Sequence, residues 1–140
     1  MYSAKKALGN FLAEDIGRGD ITSKLLPRRK ISASIISRQT GIIAGVKYAK
    51  QIFVSKGCQV KILKKDGSKV MPNQKIMIIS GQAKSVLVCE RTSLNLLSRM
   101  SGIATQTSFL VKKIQAVNRK VKLYSTRKTA PGLRLLIMRP

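Results

Sequence analysis

The residues of this sequence best suited to chemistry are basic, and the clearest group is Thr126-Arg127-Lys128, which follows the apolar run Val121–Tyr124. A guanidinium can hold a carboxylate or phosphate with two parallel hydrogen bonds, and an ammonium adds a point charge. At the C-terminal end of a strand this group could bind an anion, because ligand groups collect at that end of α/β barrels. Spacing alone leaves the anion site and a solvated charge equally open.

Three further groups have a structural interpretation that we favour over a ligand site. Residues 14–20 (EDIGRGD) are acidic and glycine-rich, which is typical of a helix C-cap followed by a turn. Arg91, within Glu90-Arg91-Thr92, lies on a predicted helix, where a lone arginine is usually a solvated surface charge. Lys112-Lys113 and Arg119-Lys120 indicate a solvated helix face.

The charge balance restricts the classes of function. The 140 residues include 28 Lys+Arg, 5 Asp+Glu and no His, so the formal net charge is +23, and residues 91–140 contain no acid. Such an excess attracts nucleic acid, an acidic membrane or a polyanionic small substrate. Catalysis by paired carboxylates and a carboxylate-bound metal are poorly provided for. The absence of His excludes a Cys/His zinc site, and two distant cysteines disfavour a disulfide scaffold.

Composition and hydrophobic pattern predict a soluble, cytoplasmic chain with its own core. Hydrophobic residues make up 44% of the sequence, no apolar run approaches the roughly 20 residues that span a bilayer, and the charged N-terminus is unlike a secretory leader. Periodicity predicts helices over residues 4–17, 46–57 and 85–117, the last with a kink or break at Ser101-Gly102. It predicts strands over residues 31–37, 59–62, 75–80 and 121–124, with turns at residues 66–67 and 131–132.

This order of elements predicts an α/β (α+β) fold: an α/β sandwich over residues 1–103, followed by the start of a second domain over residues 104–140. The second domain would begin with the strand at residues 121–124. That strand has no later strand in the sequence with which to pair.

Several motifs occur in order and together resemble one family, from about residue 2 to about residue 136. They are FLAEDIGRGDIT (11–22), GIIAG (41–45), Asp66-Gly67, ERTSLN (90–95), SGIAT (101–105) and TRKTAPGL (126–133). The family is quinolinate phosphoribosyltransferase, the carboxylating nicotinate-nucleotide pyrophosphorylase, a pentosyltransferase of NAD biosynthesis.

The resemblance implies a fold, a reaction and partners. The fold is an open-faced α/β sandwich followed by an incomplete α/β barrel that contains the active site. The substrates are quinolinate and phosphoribosyl pyrophosphate, and the products are nicotinate mononucleotide, pyrophosphate and carbon dioxide. Mg²⁺ is expected with phosphoribosyl pyrophosphate in the full-length enzyme, and no cofactor is expected on this chain alone. A homodimer is expected, with no specific nucleic acid and no membrane as partner.

The resemblance also assigns residues. Arg127 and Lys128 match the pair that binds the quinolinate carboxylates, with Thr126 beside them, and Arg91 matches an arginine lent to the neighbouring subunit's active site. Asn73 stands in a turn where the family often has Gly, and Asn tolerates the left-handed conformation. The catalytic residues of the later barrel are absent, and residues 135–140 depart from the family pattern as in a truncated or frameshifted frame. We therefore expect the first half of such an enzyme, inactive alone.

Three alternatives remain open at this point. The molybdenum-associated paralogue of the same superfamily resembles these motifs. A basic nucleic-acid-binding module would use the charge of +23, although three Phe, three Tyr and no Trp are few for stacking on bases. A structural or dimerising domain would need no chemistry. Salt-dependent oligonucleotide binding would favour the second, and dimerisation without any ligand the third.

Overall fold

Helices and strands alternate in the computed structural model, which describes residues 4–17, 29–126 and 128–133. The helices are α1 (Ala4–Ile16), α2 (Val46–Ser55) and α3 (Ala83–Val117). The strands are β1 (Lys30–Ile36), β2 (Gly41–Ile42), β3 (Gln59–Ile62), β4 (Lys69–Val70) and β5 (Lys75–Gln82). The mixed α/β class expected from the sequence is confirmed.

The main sheet is antiparallel, with β5 between the edge strands β1 and β3. In this register Ile79 lies opposite Ala33 on one side and opposite Val60 on the other. Successive side chains of a strand point to opposite faces, so these three residues share one face of the sheet. The next row, Ser32, Ser80 and Gln59, is on the opposite face and is exposed. The sheet therefore has one covered and one open face, as an open-faced sandwich requires.

The covered face carries the core, and all three helices contribute to it. Its most deeply buried members include Ile52 and Phe53 of α2, Met77 and Ile79 of β5, and Cys89 of α3. Helix α1 adds its own buried residues to this cluster, Leu8 and Leu12. Burying one large apolar side chain is worth about 1.5–3 kcal/mol, so this cluster is the main source of stability of the sandwich.

The break predicted in α3 and the strand predicted after it are both absent from the described residues. Helix α3 continues through Ser101-Gly102, since a helical Gly costs only about 1 kcal/mol relative to Ala and neighbouring contacts can offset it. Residues 121–124 form no strand, and they are exposed. A strand needs a hydrogen-bonded neighbour, and the described part of the chain offers none there.

The turns behave largely as their residue types predict. Asn73 has φ +64°, a left-handed conformation that Asn tolerates, and Gly67 and Gly132 also have positive φ. The turn at Gly67 nevertheless does not close a hairpin between its flanking strands. Strand β3 pairs with β5, whereas β4 pairs with β2 in a separate two-stranded sheet that the sequence pattern did not reveal.

Candidate functional site

Arg91 projects from the first half of α3 into solvent, with 75% of its side chain exposed. Its Nη1 donates a hydrogen bond to Oδ1 of Asp15, in the last turn of α1, at 3.4 Å. A guanidinium carries five N–H donors in a planar fork, so this single bond leaves most of the group able to bind an anion.

Asp15 is also bound on its other oxygen. The hydroxyl of Thr92, which is buried, donates to Oδ2 of Asp15 at 2.8 Å. Only 22% of the Asp15 side chain is exposed. The acidic motif and the ERTSLN motif, 76 residues apart at Asp15 and Arg91, therefore meet in space.

Sequence reasoning missed this contact, because residues 14–20 were interpreted as a helix cap and turn. That interpretation holds as far as the structure describes the segment: α1 ends at Ile16, and Gly17 has φ +50°. Residues 18–20 lie outside the described residues. One signal was available: a carboxylate in the last turn of a helix opposes the helix dipole, so Asp15 needed a partner from elsewhere in the chain.

The SGIAT motif binds the GIIAG motif through hydrogen bonds. The hydroxyl oxygen of Ser101 accepts from the backbone N–H of Ala44 at 3.0 Å and donates to its carbonyl at 3.3 Å. One turn further along α3, Thr105 Oγ1 accepts the backbone N–H of Ile42 at 2.9 Å.

The glycines of GIIAG permit this close approach. A Cβ at Gly41 would lie 2.7 Å from Thr105 Oγ1, and one at Gly45 would lie 2.8 Å from Met100 Sδ. The carboxylate of Asp66 then accepts the N–H of Val46 at 2.8 Å, at the N-terminus of α2, where negative charge is favourable. These motifs therefore hold the fold together, and none of these contacts presents a reactive group.

The predicted carboxylate-binding group, Thr126-Arg127-Lys128, is described only in part. Thr126 and Lys128 are exposed, and the backbone N–H of Lys128 donates to Thr126 Oγ1 at 3.3 Å, which is a local turn. Arg127 lies outside the described residues. The hydrogen bond of Lys128 is local to its own segment, whereas that of Arg91 goes to Asp15 on α1.

The other basic residues near the end of α3 are solvated. Lys112 and Lys113 lie on the helix and are exposed, whereas Arg119 and Lys120 follow its end at Val117, so only the first pair belongs to the predicted helix face. The ammonium of Lys113 lies 4.5 Å from the ring centroid of Phe109, four residues earlier, so it makes a cation–π contact on the helix surface.

The described residues include no cluster of three or more metal ligands and no exposed thiol. No three Asp, Glu, Cys or His side chains in ranges 4–17, 29–126 and 128–133 lie close enough to share a metal ion. Two of the carboxylates present, Asp15 and Asp66, already accept hydrogen bonds from the protein. Cys58 and Cys89 are buried, and desolvation raises the pKa of Cys89 to about 12, so its reactive thiolate is scarce near neutral pH.

A helix that crosses a bilayer must be both long and apolar. None of the described helices combines that length with that apolar character.

Comparison with known proteins points to one family. Residues 20–101 match the family model described as quinolinate phosphoribosyl transferase, N-terminal domain. The chain is 40% identical over 117 residues to a probable nicotinate-nucleotide pyrophosphorylase (carboxylating) of Archaeoglobus fulgidus, covering 84% of this chain and 45% of that protein. It is 38% identical over 135 residues to the protein of the same name from Bacillus subtilis, covering 94% of this chain and 46% of that one.

The fold gives the same result. The structure of the nicotinate-nucleotide pyrophosphorylase from Francisella tularensis superposes with a TM-score of 0.89 at 38% identity, covering 96% of this chain and 48% of that chain. The chain thus spans about half the length of the relatives that it matches.

Proposed function

This chain belongs to the quinolinate phosphoribosyltransferase family, and from that we propose that it supplies the N-terminal half of a carboxylating nicotinate-nucleotide pyrophosphorylase. The proposed enzyme converts quinolinate and phosphoribosyl pyrophosphate into nicotinate mononucleotide, pyrophosphate and carbon dioxide. The observation that carries the proposal is the family match over residues 20–101, which includes both Arg91 and its hydrogen-bonding neighbour Thr92. The relatives named for this reaction cover almost all of the chain at 38–40% identity.

The chemistry of the reaction accounts for the basic surface. The pyridine nitrogen attacks C1 of the ribose as pyrophosphate leaves, and loss of the adjacent carboxylate then leaves a carbanion beside a cationic ring nitrogen. Two carboxylates and several phosphates must be held together, so positive charge has to be in place before the substrates arrive. A net charge of +23 supports this use and requires no nucleic acid.

Within this proposal, Arg91 serves the active site of a partner subunit in a homodimer. Its exposure of 75% supports the role, because the guanidinium points away from the core of its own chain. Leu94, one turn further along α3, is also exposed and gives this part of the helix an apolar element suited to an interface.

Thr126, Arg127 and Lys128 form the second part of the proposed substrate site. Arg127 and Lys128 would bind the two carboxylates of quinolinate, Arg127 through paired hydrogen bonds and Lys128 through its charge. The hydrogen bond from the backbone N–H of Lys128 to Thr126 Oγ1 keeps these two residues close to each other. The carboxylates that hold the magnesium of phosphoribosyl pyrophosphate would come from beyond the described residues, and the 140 residues alone would be inactive.

The test joins the full chain to the part of the Bacillus subtilis relative that follows its matched region. Release of labelled carbon dioxide from carboxyl-labelled quinolinate is then measured with and without phosphoribosyl pyrophosphate. We expect release that requires both substrates, none from the 140-residue chain alone, and a large loss in the Arg91→Ala hybrid. A hybrid that folds as a dimer but releases no carbon dioxide would contradict the proposal.

A further inference from the structure

We propose that Asp15 is a positioning residue for Arg91: its carboxylate orients the guanidinium so that the remaining N–H donors meet the substrate carboxylate. This inference rests on the proposed function, since it assigns the residue that prepares Arg91 for a dicarboxylate. It is carried by the two hydrogen bonds that converge on Asp15, one from Arg91 and one from Thr92.

An exposed arginine needs such support. Its side chain has several rotatable bonds and, with 75% exposure, almost no packing to restrict them. Freezing those bonds on binding weakens the interaction with a ligand, and a group that is already oriented avoids this cost. The hydrogen bond to Asp15 involves Nη1, so the other N–H donors of this exposed group are left for a ligand.

The carboxylate that orients Arg91 is itself held in place. The hydroxyl of Thr92 is only 2.8 Å from Oδ2, and Thr92 is buried in α3, one residue from Arg91. One oxygen of Asp15 thus binds Thr92, which is buried in α3, and the other binds the exposed side chain of Arg91. Asp15 on α1 therefore links the guanidinium of Arg91 to a buried residue of the same helix, α3.

The position of Asp15 indicates that it does more than stabilise α1. An acidic residue in the last turn opposes the helix dipole, and Asp15 is one of only five acids in the chain. An exposed ion pair alone adds little to stability. Orienting Arg91 for a ligand gives Asp15 a function that its small contribution to stability does not.

The first experiment uses the 140-residue chain and no substrate. Nitrogen-15 relaxation of the Arg91 Nε–H group measures its order directly. We expect Asp15→Asn to lower its order parameter by about 0.2 or more, because a neutral amide oxygen binds the guanidinium more weakly than a charged carboxylate oxygen does. Glu14→Gln, the same change of charge one residue away, is the matched control and should leave the order unchanged.

Variants of Thr92 separate orientation from charge. Thr92→Val removes the hydroxyl and should lower the order of Arg91, whereas Thr92→Ser keeps the hydroxyl and should preserve it. Unchanged order of Arg91 in Asp15→Asn, or an equal loss in Glu14→Gln, would overturn the proposal whether or not the enzyme is active. Thermal unfolding of each variant shows whether α1 stays docked.

The second experiment is a double-mutant cycle in the hybrid enzyme described above. Asp15→Asn should raise KM for quinolinate about two- to fivefold, the effect on binding of an exposed charged pair, with kcat nearly unchanged. In the Arg91→Ala background the same substitution should have no further effect. An equal effect in both backgrounds would overturn the positioning role. Absence of activity in the unsubstituted hybrid would instead count against the proposed function, leaving the relaxation experiment to decide the role of Asp15.

Discussion

Thr105 Oγ1 accepts the backbone N–H of Ile42 at 2.9 Å and so attaches β2 to the middle of α3 across 63 residues of sequence. The contact depends on the absence of a side chain at the preceding residue, where a Cβ would lie 2.7 Å from the same oxygen. The motifs GIIAG and SGIAT are thus two parts of one structural joint in this chain.

Gly41→Ala should destabilise the sandwich by about 1–3 kcal/mol, because the new methyl group must displace Thr105 or β2. Urea denaturation of the chain measures this loss. Gly102→Ala, on α3 with no heavy atom within 4 Å of the added Cβ, is the matched control and should stabilise by about 0.5–1 kcal/mol. In Gly41→Ala/Thr105→Ala the loss should be smaller than the sum of the two single losses. Strict additivity would show that the two residues do not compete for this space.

Stability should fall as the pH rises above 9. Burial raises the pKa of Cys89 from its usual value of 9.0 to about 12, so the folded state favours the neutral thiol. The resulting stability is fully present below pH 9 and is lost as the pH rises from 9 towards 12. Urea titrations between pH 8 and pH 11 on the chain and on Cys89→Ala measure the effect. Parallel pH profiles for the two proteins would contradict this origin.

Limited proteolysis with trypsin should cut first between residues 119 and 128. Arg119, Lys120 and Lys122 are exposed there, and residues 119–126 and 128 are in neither helix nor strand. The last buried residue of α3 is Leu97, so its later turns should be trimmed next. We expect a persistent fragment that contains β1 to β5, consistent with the proposed sandwich of residues 1–103. Early cuts within β1 to β5 with residues 119–128 intact would contradict both the order of cleavage and that domain boundary.

Mixing two hybrid chains of reduced activity tests whether Arg91 acts across a dimer. Arg91→Ala should reduce kcat/KM for quinolinate by about 10- to 150-fold, the effect of losing a hydrogen bond to a charged group. A mixed dimer of Arg91→Ala with Arg127→Ala chains has one site with both arginines only if they come from different subunits. Activity should then partly return. Mixed dimers that form without regaining activity would place Arg91 in its own subunit's site or outside any site.

The longer helices and strands were predictable because the spacing of apolar residues along the sequence determines them. The alternation in β1 and the helical spacing in α2 depend on neighbouring residues, and both elements formed where expected. The short pair β2 and β4 was not predictable, because two residues are too few to show a period and their pairing is non-local. The strand at residues 121–124 failed for the opposite reason: its residues favour a strand, but a strand also needs a partner.

In the candidate site, too, the local motifs were predictable and the contacts between distant elements were not. Arg91 was selected through its motif, and the structure adds that it is exposed and bound to Asp15. That pairing could not be read from the sequence, since it depends on how α1 packs on α3. The role of Arg127 stays a prediction, as its position lies outside the described residues.

The distance in sequence between bonded residues also bears on how the chain folds during synthesis. Thr92 binds Asp15 across 77 residues, and Thr105 binds Ile42 across 63. At about 5–20 residues per second, α1 and β2 exist for several seconds before α3 is available to fix them. In that interval the central strand β5, which directly precedes α3, has not been made either, so the sheet and the helix that covers it become available almost together.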